Sequence, residues 1–142
     1  MYNIVKYLND NDPGNEYYLF SNKEIIVDFE LKDNWHTVVE NFPVGTLWLS
    51  YRGRALIKQY GIDVFWGTQH VLPWGKHENV RYVLTICDLA QFRIKNIGSR
   101  YNTIIQKFFV KGSCKKADRI LAISEATKYD IIDIFGIESA RI

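Results

Sequence analysis

Three short apolar runs recur between residues 63 and 125, and each of them ends in a polar cluster. The runs are Asp63 to Trp66, Tyr82 to Ile86 and Arg119 to Ile123. Because none of them alternates apolar with polar residues, each run predicts a strand that is covered on both faces, as in a parallel sheet. Ligands of open α/β sheets bind beyond the carboxyl ends of such strands, so the polar clusters form a candidate site.

The segments between these runs show helical periodicity. Apolar residues at intervals of three and four predict a helix from about Thr46 to Tyr60, with Gly61 as its carboxyl cap. Gly53 weakens this helix but permits close packing. A later helix is predicted from Glu125 to Phe135, where Gly136 marks its end. This alternation of strands and helices is typical of right-handed βαβ units.

Two long loops follow the first two strands. Gly67 to Asn79 contains proline, glycine and several bulky or titratable side chains, which suit a binding loop. The second loop, Asp88 to Gly98, precedes a helix that Ser99 is predicted to cap. The apolar stripe predicted for this helix contains Ile104, Ile105, Phe108 and Phe109.

The amino-terminal part of the chain is less regular. Tyr2 to Leu8 has helical spacing and leads into a turn at Asn9 to Gly14. Tyr17 to Phe20 and Trp35 to Glu40 are candidate strands, and the segment Asp28 to Asn34 between them is predicted to be a loop or an edge strand. Together these patterns predict an α/β, Rossmann-like, three-layer domain with a mainly parallel sheet.

Composition narrows the functional classes. A length of 142 residues suits one domain better than two, so residues 1–142 are predicted to form a single domain. The net charge of +2 is nearly balanced, and we therefore expect no nucleic acid partner. Aromatic residues make up 15% of the chain, so several rings must be buried or must line a pocket or an interface.

The cysteines and the apolar runs indicate in which cellular compartment the protein is expected. Cys87 and Cys114 have no CxxC spacing and no histidine pair nearby, so we predict no metal site. Free thiols fit a reducing cytosol. The sequence contains no apolar run of signal-peptide length and none near the roughly 18 residues that span a membrane. We therefore expect a soluble, cytoplasmic protein.

Three linked motifs resemble the amino-terminal domain of family 4 glycosyltransferases, which are retaining enzymes of the GT-B architecture. The motifs are Asp63 to Pro73, Thr85 to Leu89 and Ala117 to Glu125, and the resemblance covers nearly the whole chain from Tyr17 onward. It implies a Rossmann-like domain that binds the acceptor. It also implies that this domain faces a second domain, which binds the nucleotide-sugar donor.

The same resemblance implies that some parts of the enzyme lie outside this sequence. Family members open with a strand and a glycine-rich acceptor loop ahead of the helix that Tyr2 to Leu8 ends. The donor-binding domain, with its paired glutamates, has no counterpart among these residues. We therefore expect a domain truncated at both ends, with its first strand missing, that does not turn over alone. A second copy could cover the exposed surface that a missing strand leaves, which favours a homodimer.

The motif after the second strand departs from the family pattern. Family members carry His-Asp there, and the histidine helps to line the donor sugar and diphosphate; this chain has Cys87-Asp88. A thiol is a weak hydrogen-bond donor and cannot replace an imidazole beside a phosphate. Either His70 compensates for the change or catalysis is impaired.

The residues predicted to bind substrate follow the three strands or lie in the loop after the first of them. They are Gly67, Thr68, Gln69, His70, Trp74, Cys87, Asp88, Ser124 and Glu125. No residue is assigned as catalytic, and no cofactor is expected. In a retaining transferase of this kind the leaving diphosphate can itself take the acceptor proton, so Asp88 is predicted to bind substrate rather than to act as a base.

Each candidate also has a structural alternative. His70 could bind an acceptor hydroxyl or a phosphate oxygen, or it could order its loop. Asp88 could position an acceptor hydroxyl or cap the following backbone. Ser124 could assist a phosphate at a helix terminus, but the favoured role is that of helix cap. Trp74 is the better candidate for stacking on a sugar ring, whereas Trp66 is favoured as a core residue.

Two functions remain open on this reading. The first is the acceptor-side domain of a glycosyltransferase that moves a hexose from a nucleotide-sugar to a saccharide or lipid-linked acceptor. The alternative is a non-catalytic binding or assembly module derived from such an enzyme. A receiver domain fits the sheet, but no acidic pair follows its first strand. Four basic residues could contact an anionic lipid headgroup, so a peripheral membrane contact is a further expectation. Such residues more often form a solvated helix face. They are Lys111, Lys115, Lys116 and Arg119.

Overall fold

Helices and parallel strands alternate through residues 2–42, 48–93 and 100–142, which are the residues that this computed structural model describes. Of these, residue 91 and residues 100–106 are described for their backbone only. Contacts divide the chain into two compact units, Met1–Trp48 and Leu49–Ile142. The prediction that residues 1–142 form a single domain stays a prediction.

The first unit consists of one helix and a two-stranded parallel sheet. Helix α1 spans Tyr2–Asn11, strand β1 spans Tyr17–Ser21 and strand β2 spans Trp35–Val39. The rings of Tyr17 and Trp35 stack with their centroids 4.1 Å apart, at the point where β1 and β2 begin to pair. Helix α1 ends at Asn11, three residues beyond the end predicted at Leu8.

Asn9 explains why the segment before β2 is a loop rather than an edge strand. This side chain is buried and bonds to the backbone of that segment on both sides: its Nδ2 donates to the carbonyl of Glu30, and its Oδ1 accepts from the amide of Lys32. Because Asn9 occupies these backbone groups, they do not pair in a ladder. Of the two alternatives left open by the sequence, the structure has the loop.

The second unit is built around a three-stranded sheet in the order β3-β4-β5, and every pairing is parallel. The α/β Rossmann-like class predicted from the sequence is confirmed. The elements are α2 (Trp48–Gln59), β3 (Val64–Gly67), β4 (Arg81–Ile86), α3 (Ala90–Arg93), α4 (Arg100–Lys116), β5 (Arg119–Ala122) and α5 (Glu125–Phe135), followed by a 3-10 turn at Ser139–Arg141.

The core of this unit lies on the central strand. Leu84 and Ile86 of β4 and Ile131 of α5 are fully buried, and Ile120 of β5 is nearly so. The expectation that each strand is covered on both faces is wrong for β3 and β5, where Val64 is 58% and Leu121 46% exposed. These two are the outer strands of the described sheet, whereas β4 has a neighbour on each side.

Glycines end two helices as the sequence predicts. Gly61 has a φ of 60°, and the amide of Ile62 bonds to the carbonyl of Ile57 at 3.0 Å, which together form a Schellman motif after α2. Gly136 has a φ of 66°, and its amide donates to the carbonyl of Ile132 at the end of α5. The predicted start of the first of these helices, near Thr46, lies outside the described residues.

The connection between β3 and β4 contains no helix, which is unusual for two parallel strands. Residues 68–80 cross the sheet in irregular conformation, and Leu72 and Pro73 in this segment are buried. The amide of Leu72 donates to Ser113 Oγ of α4 at 2.9 Å. The Lys116 ammonium, also on α4, donates to the carbonyls of Pro73 and Gly75. These bonds replace the internal hydrogen bonds that a crossover helix would have supplied.

Two sequence predictions around α3 and α4 need correction. The loop predicted over Asp88 to Gly98 contains the short helix α3. Phe108 is 76% exposed, so the predicted apolar stripe of α4 does not bury this ring. The predicted cap Ser99 and the side chains of Ile104 and Ile105 lie outside the described residues. No helix within the described ranges is long and apolar enough to cross a membrane.

Candidate functional site

The three polar clusters meet at one edge of the β3-β4-β5 sheet. Since all pairings are parallel, the carboxyl ends of the strands point the same way. Contacts across this edge join the clusters: the amide of His70 donates to the carbonyl of Thr85 at 3.0 Å, and Thr127 Oγ1 donates to the carbonyl of Cys87 at 3.3 Å. This geometry matches the edge predicted from the sequence. The binding role of these residues stays a prediction.

Gly67 ends β3 at a point where no side chain fits. A Cβ atom there would lie 2.7 Å from both Leu72 Cδ2 and the carbonyl oxygen of Val71. The chain therefore turns back tightly over the strand end, and the next residues, Thr68 and Gln69, are exposed at the edge. The requirement for glycine at this position is steric.

His70 is held in an unusual backbone conformation. Its φ of 56° lies in the left-handed region, which residues other than glycine rarely adopt. The Nδ1 atom is buried and has no hydrogen-bond partner among the described residues. Burial lowers the pKa of the imidazole, and the Asp88 carboxylate offsets only part of that shift. The side chain is therefore a neutral imidazole at neutral pH with an unsatisfied ring nitrogen, an arrangement that often marks a functional position.

Cys87 and Asp88 follow β4 as predicted. The Cys87 thiol is half-buried and free, and its carbonyl accepts from Thr127. The Asp88 carboxylate is exposed, and its Oδ1 accepts from the amide of Ala90 at 3.1 Å. Asp88 therefore caps α3, which is the structural alternative predicted for it. An exposed carboxylate oxygen can accept a second hydrogen bond from a ligand while it caps the helix.

Ser124 caps α5. Its hydroxyl oxygen accepts from the amide of Thr127 at 3.2 Å, and its φ of −155° is that of an extended N-cap residue. Glu125 is exposed in the first turn of the helix, where its charge favours the helix dipole. The favoured prediction for Ser124 agrees with this geometry, and the helix terminus is sited at the edge shared with His70 and Asp88.

Trp74 lies away from the strand ends, between α2 and α4. Its ring stacks on Phe109 with centroids 5.6 Å apart and meets Tyr51 edge-on at 4.7 Å. Its amide donates to the carbonyl of Ser50. By contrast, Trp66 donates from Nε1 to Thr85 Oγ1 at 2.8 Å and is half-buried in the sheet, in keeping with the structural role predicted for it.

A cavity of about 310 Å³ lies at the opposite edge of the sheet. Asp63 and Val80, which immediately precede β3 and β4, line it together with His77. It therefore does not coincide with the predicted site. Within the described residues, no group of three or more histidine, cysteine, aspartate or glutamate side chains could hold a metal ion.

Two threonines that link the clusters were not among the predicted site residues. Thr85 joins β4 to His70 through its carbonyl and to Trp66 through its hydroxyl. Thr127 joins α5 to Cys87. The position of Thr127, three residues after the cap Ser124, is a local signal that could have been used. Its bond to Cys87 joins residues 40 apart in sequence, so periodicity could not predict it.

A family model described as Glycosyltransferase Family 4 matches residues 5–142 of the chain, which is nearly its full length. The chain belongs to glycosyltransferase family 4. It is an amino-terminal domain of that family, as the three motifs predict. Comparison with characterised proteins and with solved structures gave no match.

The family 4 domain presents a defined set of groups at the edge formed by the carboxyl ends of its strands. A neutral imidazole, an exposed carboxylate and the amino terminus of α5 occur at the ends of adjacent parallel strands. A carboxylate and an imidazole together can accept and donate hydrogen bonds to sugar hydroxyls. Helix amides favour an anionic group such as a phosphate. The edge therefore has chemistry suited to a sugar hydroxyl and a phosphate side by side.

Proposed function

We propose that this chain is the acceptor-side domain of a retaining glycosyltransferase, which moves a hexose from a nucleotide-sugar to a saccharide or lipid-linked acceptor. The observation that carries the proposal is the juxtaposition of His70 and Asp88 at the edge where the parallel strands end. These two side chains are near enough for the Asp88 charge to act on the pKa of His70. Family membership supplies the reaction class.

In this proposal the acceptor binds against the ends of β3 and β4. The Asp88 carboxylate accepts a hydrogen bond from an acceptor hydroxyl, and the neutral imidazole of His70 bonds to a neighbouring oxygen. The acceptor oxygen forms a bond to the anomeric carbon as the bond from that carbon to the leaving diphosphate breaks. The acceptor proton goes to the diphosphate, so neither side chain needs to act as a base.

The donor is held mainly by a second domain that faces this edge, with the diphosphate near the amino terminus of α5. Ser124 and Glu125 line the region that receives the diphosphate. Thr68 and Gln69 line the region that receives the acceptor, beside Gly67. The 142 residues by themselves bind acceptor without turnover, because most of the contacts to the donor come from the second domain. No cofactor is required for this transfer.

Chemical-shift mapping in solution tests the acceptor site. A panel of methyl hexosides and disaccharides is titrated into the ¹⁵N-labelled chain, and the amides of residues 67–70 and 87–88 are expected to shift. His70→Asn and Asp88→Asn should each weaken the binding at least about tenfold, the loss expected for one well-placed hydrogen bond to a charged or buried group. Shifts confined to the opposite edge of the sheet would overturn the proposal.

His77 provides a matched control for these variants. It lies in the same irregular segment as His70 and is also half-buried, but its Nε2 contacts the carbonyl of Arg54 at 3.1 Å and it lines the cavity at the other edge. His77→Asn should leave hexoside binding unchanged. Equal losses in His70→Asn and His77→Asn would indicate a general effect on the loop rather than a site at His70.

A non-catalytic binding module is the second candidate, and Cys87 favours it. The thiol stands where family members carry a histidine beside the donor phosphates, and a thiol is a poor donor to a phosphate. A Cys87→His variant distinguishes the two functions. If the domain serves a transferase, this variant should bind uridine diphosphate more tightly than the parent chain. If the affinity is unchanged while hexosides still bind, the module is the better description.

A further inference from the structure

The short helix α3 is held at both of its ends. At its start, the amide of Ala90 donates to Asp88 Oδ1 at 3.1 Å. At its last residue, Arg93 donates from Nε and Nη2 to Asp130 Oδ1 at 2.9 and 2.6 Å, and its Nη2 lies 2.8 Å from Asp133 Oδ2. A helix of four residues has too few internal hydrogen bonds to be stable by itself. The position of α3 therefore depends on these outer contacts.

The two carboxylates that bind Arg93 belong to the same face of α5. Asp130 and Asp133 are three residues apart in this helix, where like charges repel each other. A guanidinium presents several donors in one fixed plane, so it binds both carboxylates at once and offsets their repulsion. An exposed ion pair contributes little to stability, but a network of fixed geometry restricts how its members move. The contact thus fixes where α3 lies on α5.

Phe92 provides a second anchor for α3. Its ring meets that of Phe135 on α5 edge-on, with the centroids 4.9 Å apart. The ammonium of Lys107 on α4 lies 5.2 Å from the centroid of the same ring. Both arrangements are attractive for an aromatic ring. This anchor involves no charged group of α3 itself, so it can be removed without a change in net charge.

Helix α5 is in turn bound to the strand that leads to Asp88. Thr127 Oγ1 donates to the carbonyl of Cys87 at 3.3 Å. Contacts therefore run from Asp88 through α3 to α5, and from α5 back to the residue before Asp88. Within the described residues, the Ala90 amide is the only hydrogen-bond partner of the Asp88 carboxylate. The orientation of this carboxylate consequently depends on α3.

We propose that Arg93 is a positioning residue of the candidate site. By holding α3 against α5, it keeps the Asp88 carboxylate in place beside His70 at the strand ends. A side chain that is already fixed loses less conformational entropy when a ligand binds, so its hydrogen bond contributes more to affinity. The consequence for acceptor binding rests on the proposed function, whereas the consequence for the position of Asp88 does not.

The titration of His70 reports the position of Asp88 without any ligand. The Asp88 charge raises the pKa of His70 against the larger effect of burial. Arg93→Met should release α3, so that a mobile carboxylate acts less on the imidazole and the pKa of His70 falls. Loss of a cation by itself has the opposite sign, because it favours the protonated imidazole. The direction of the change therefore separates loss of position from loss of charge.

NMR titration of the imidazole resonances measures this pKa, and His70→Asn identifies the His70 signals among those of the three histidines. Phe92→Ala removes the other anchor of α3 and should also lower the pKa of His70. Arg81→Met is the matched control. Arg81 is an exposed arginine whose Nη1 lies 3.8 Å from Asp118 Oδ1, at the opposite edge of the sheet. Its replacement should leave the pKa of His70 unchanged.

Titration with methyl hexosides tests the consequence for the acceptor. Arg93→Met and Phe92→Ala should each weaken binding at least about threefold, since a small misplacement of a binding group lowers affinity. Arg93→Lys should lie between the parent and Arg93→Met, because an ammonium binds a carboxylate but lacks the planar arrangement of donors. Arg81→Met should bind like the parent. Circular dichroism checks that all variants keep the parent fold.

An unchanged or raised pKa of His70 in Arg93→Met refutes the inference. If urea unfolding shows lower stability while this pKa is unchanged, Arg93 only stabilises the fold. Equal hexoside binding by the parent and Arg93→Met refutes the role in acceptor binding and leaves the proposed function intact. A parent chain that binds no hexoside contradicts the proposed function instead, and the titration of His70 then decides by itself whether Arg93 positions Asp88.

Discussion

Gly53 and Pro73 lie so close together that a Cβ atom on Gly53 would come within 2.5 Å of Pro73 Cγ. Gly53 is in the interior of α2, where glycine is about 1 kcal/mol less favourable than alanine. The contact allows the helix-free connection from β3 to β4 to lie directly against α2. The local loss in helix stability is thus linked to the packing of the segment that carries His70 and Trp74.

Replacing Gly53 with alanine should destabilise the protein in spite of the better helix propensity. Pro73 is buried and rigid, so the added methyl group forces a shift that costs about 1–3 kcal/mol. Gly112→Ala is the matched control, because Gly112 is inside α4 and a Cβ there would meet nothing within 4 Å. That control should stabilise by up to about 1 kcal/mol. Urea unfolding measures both values, and stabilisation by Gly53→Ala would contradict the close contact.

Stability should fall in mild acid because of His70. Burial lowers its pKa in the folded protein below the ordinary value of 6.5. Between the folded-state pKa and 6.5, the unfolded chain binds more protons than the folded protein, so the free energy of unfolding decreases as the pH is lowered. Above 6.5 this residue makes no pH-dependent contribution.

Urea unfolding at several pH values, compared between the parent chain and His70→Asn, isolates this effect. From about pH 7 to about pH 5 the parent should lose more stability than the variant. Asparagine tolerates the left-handed backbone of this position, so the comparison does not add backbone strain. Parallel pH profiles would show that His70 titrates normally in the folded protein.

The Ser124 cap should contribute measurably to stability. Ser124→Ala removes the acceptor of the Thr127 amide and should cost about 1 kcal/mol. Ser124→Asp keeps an acceptor and adds a charge that favours the helix dipole, so its stability should lie within about 0.5 kcal/mol of the parent. Thermal unfolding of the two variants provides the comparison. Equal losses would mean that the hydroxyl does not act as a cap.

The two thiols should differ in reactivity. Cys114 is fully buried, and burial raises its pKa to about 12, so it stays a neutral thiol in the native protein. Cys87 is half-buried at the end of β4. Iodoacetamide should therefore modify Cys87 alone until the protein is unfolded. Mass spectrometry of the native and urea-treated protein reads this out, with Cys87→Ser as control; native labelling of Cys114 would be inconsistent with its burial.

A homodimer remains a prediction, and β5 offers a surface for it. Within the described residues this strand pairs with β4 alone, and Leu121 and Ile123 are 46% and 65% exposed. A second copy that packs against this face of β5 would cover both side chains. Light scattering coupled to size exclusion at micromolar concentration should give twice the mass of one chain. Leu121→Asp should reduce the measured mass to that of one chain. A parent chain that elutes as a monomer contradicts the prediction.

Local signals in the sequence were enough to predict most elements and the edge of the sheet at which the candidate residues meet. The apolar runs became the strands β3, β4 and β5, which pair in parallel as predicted. Gly61 and Gly136 end the helices that they were predicted to end, and Ser124 caps α5. These features depend on periodicity and on residues within one turn of each other, so a linear pattern contains them.

Other features depend on residues that are distant in sequence, and only the tertiary structure decided them. The crossover without a helix exists because Ser113 and Lys116 bond to its backbone about 40 residues away. The left-handed conformation of His70 follows from the tight turn over Gly67 and the bond to Thr85. The sequence alone determined where strands end and which chemistry follows them. The packing of α2, the crossover and α4 decided which rings are exposed, because burial is set by neighbours that periodicity does not specify.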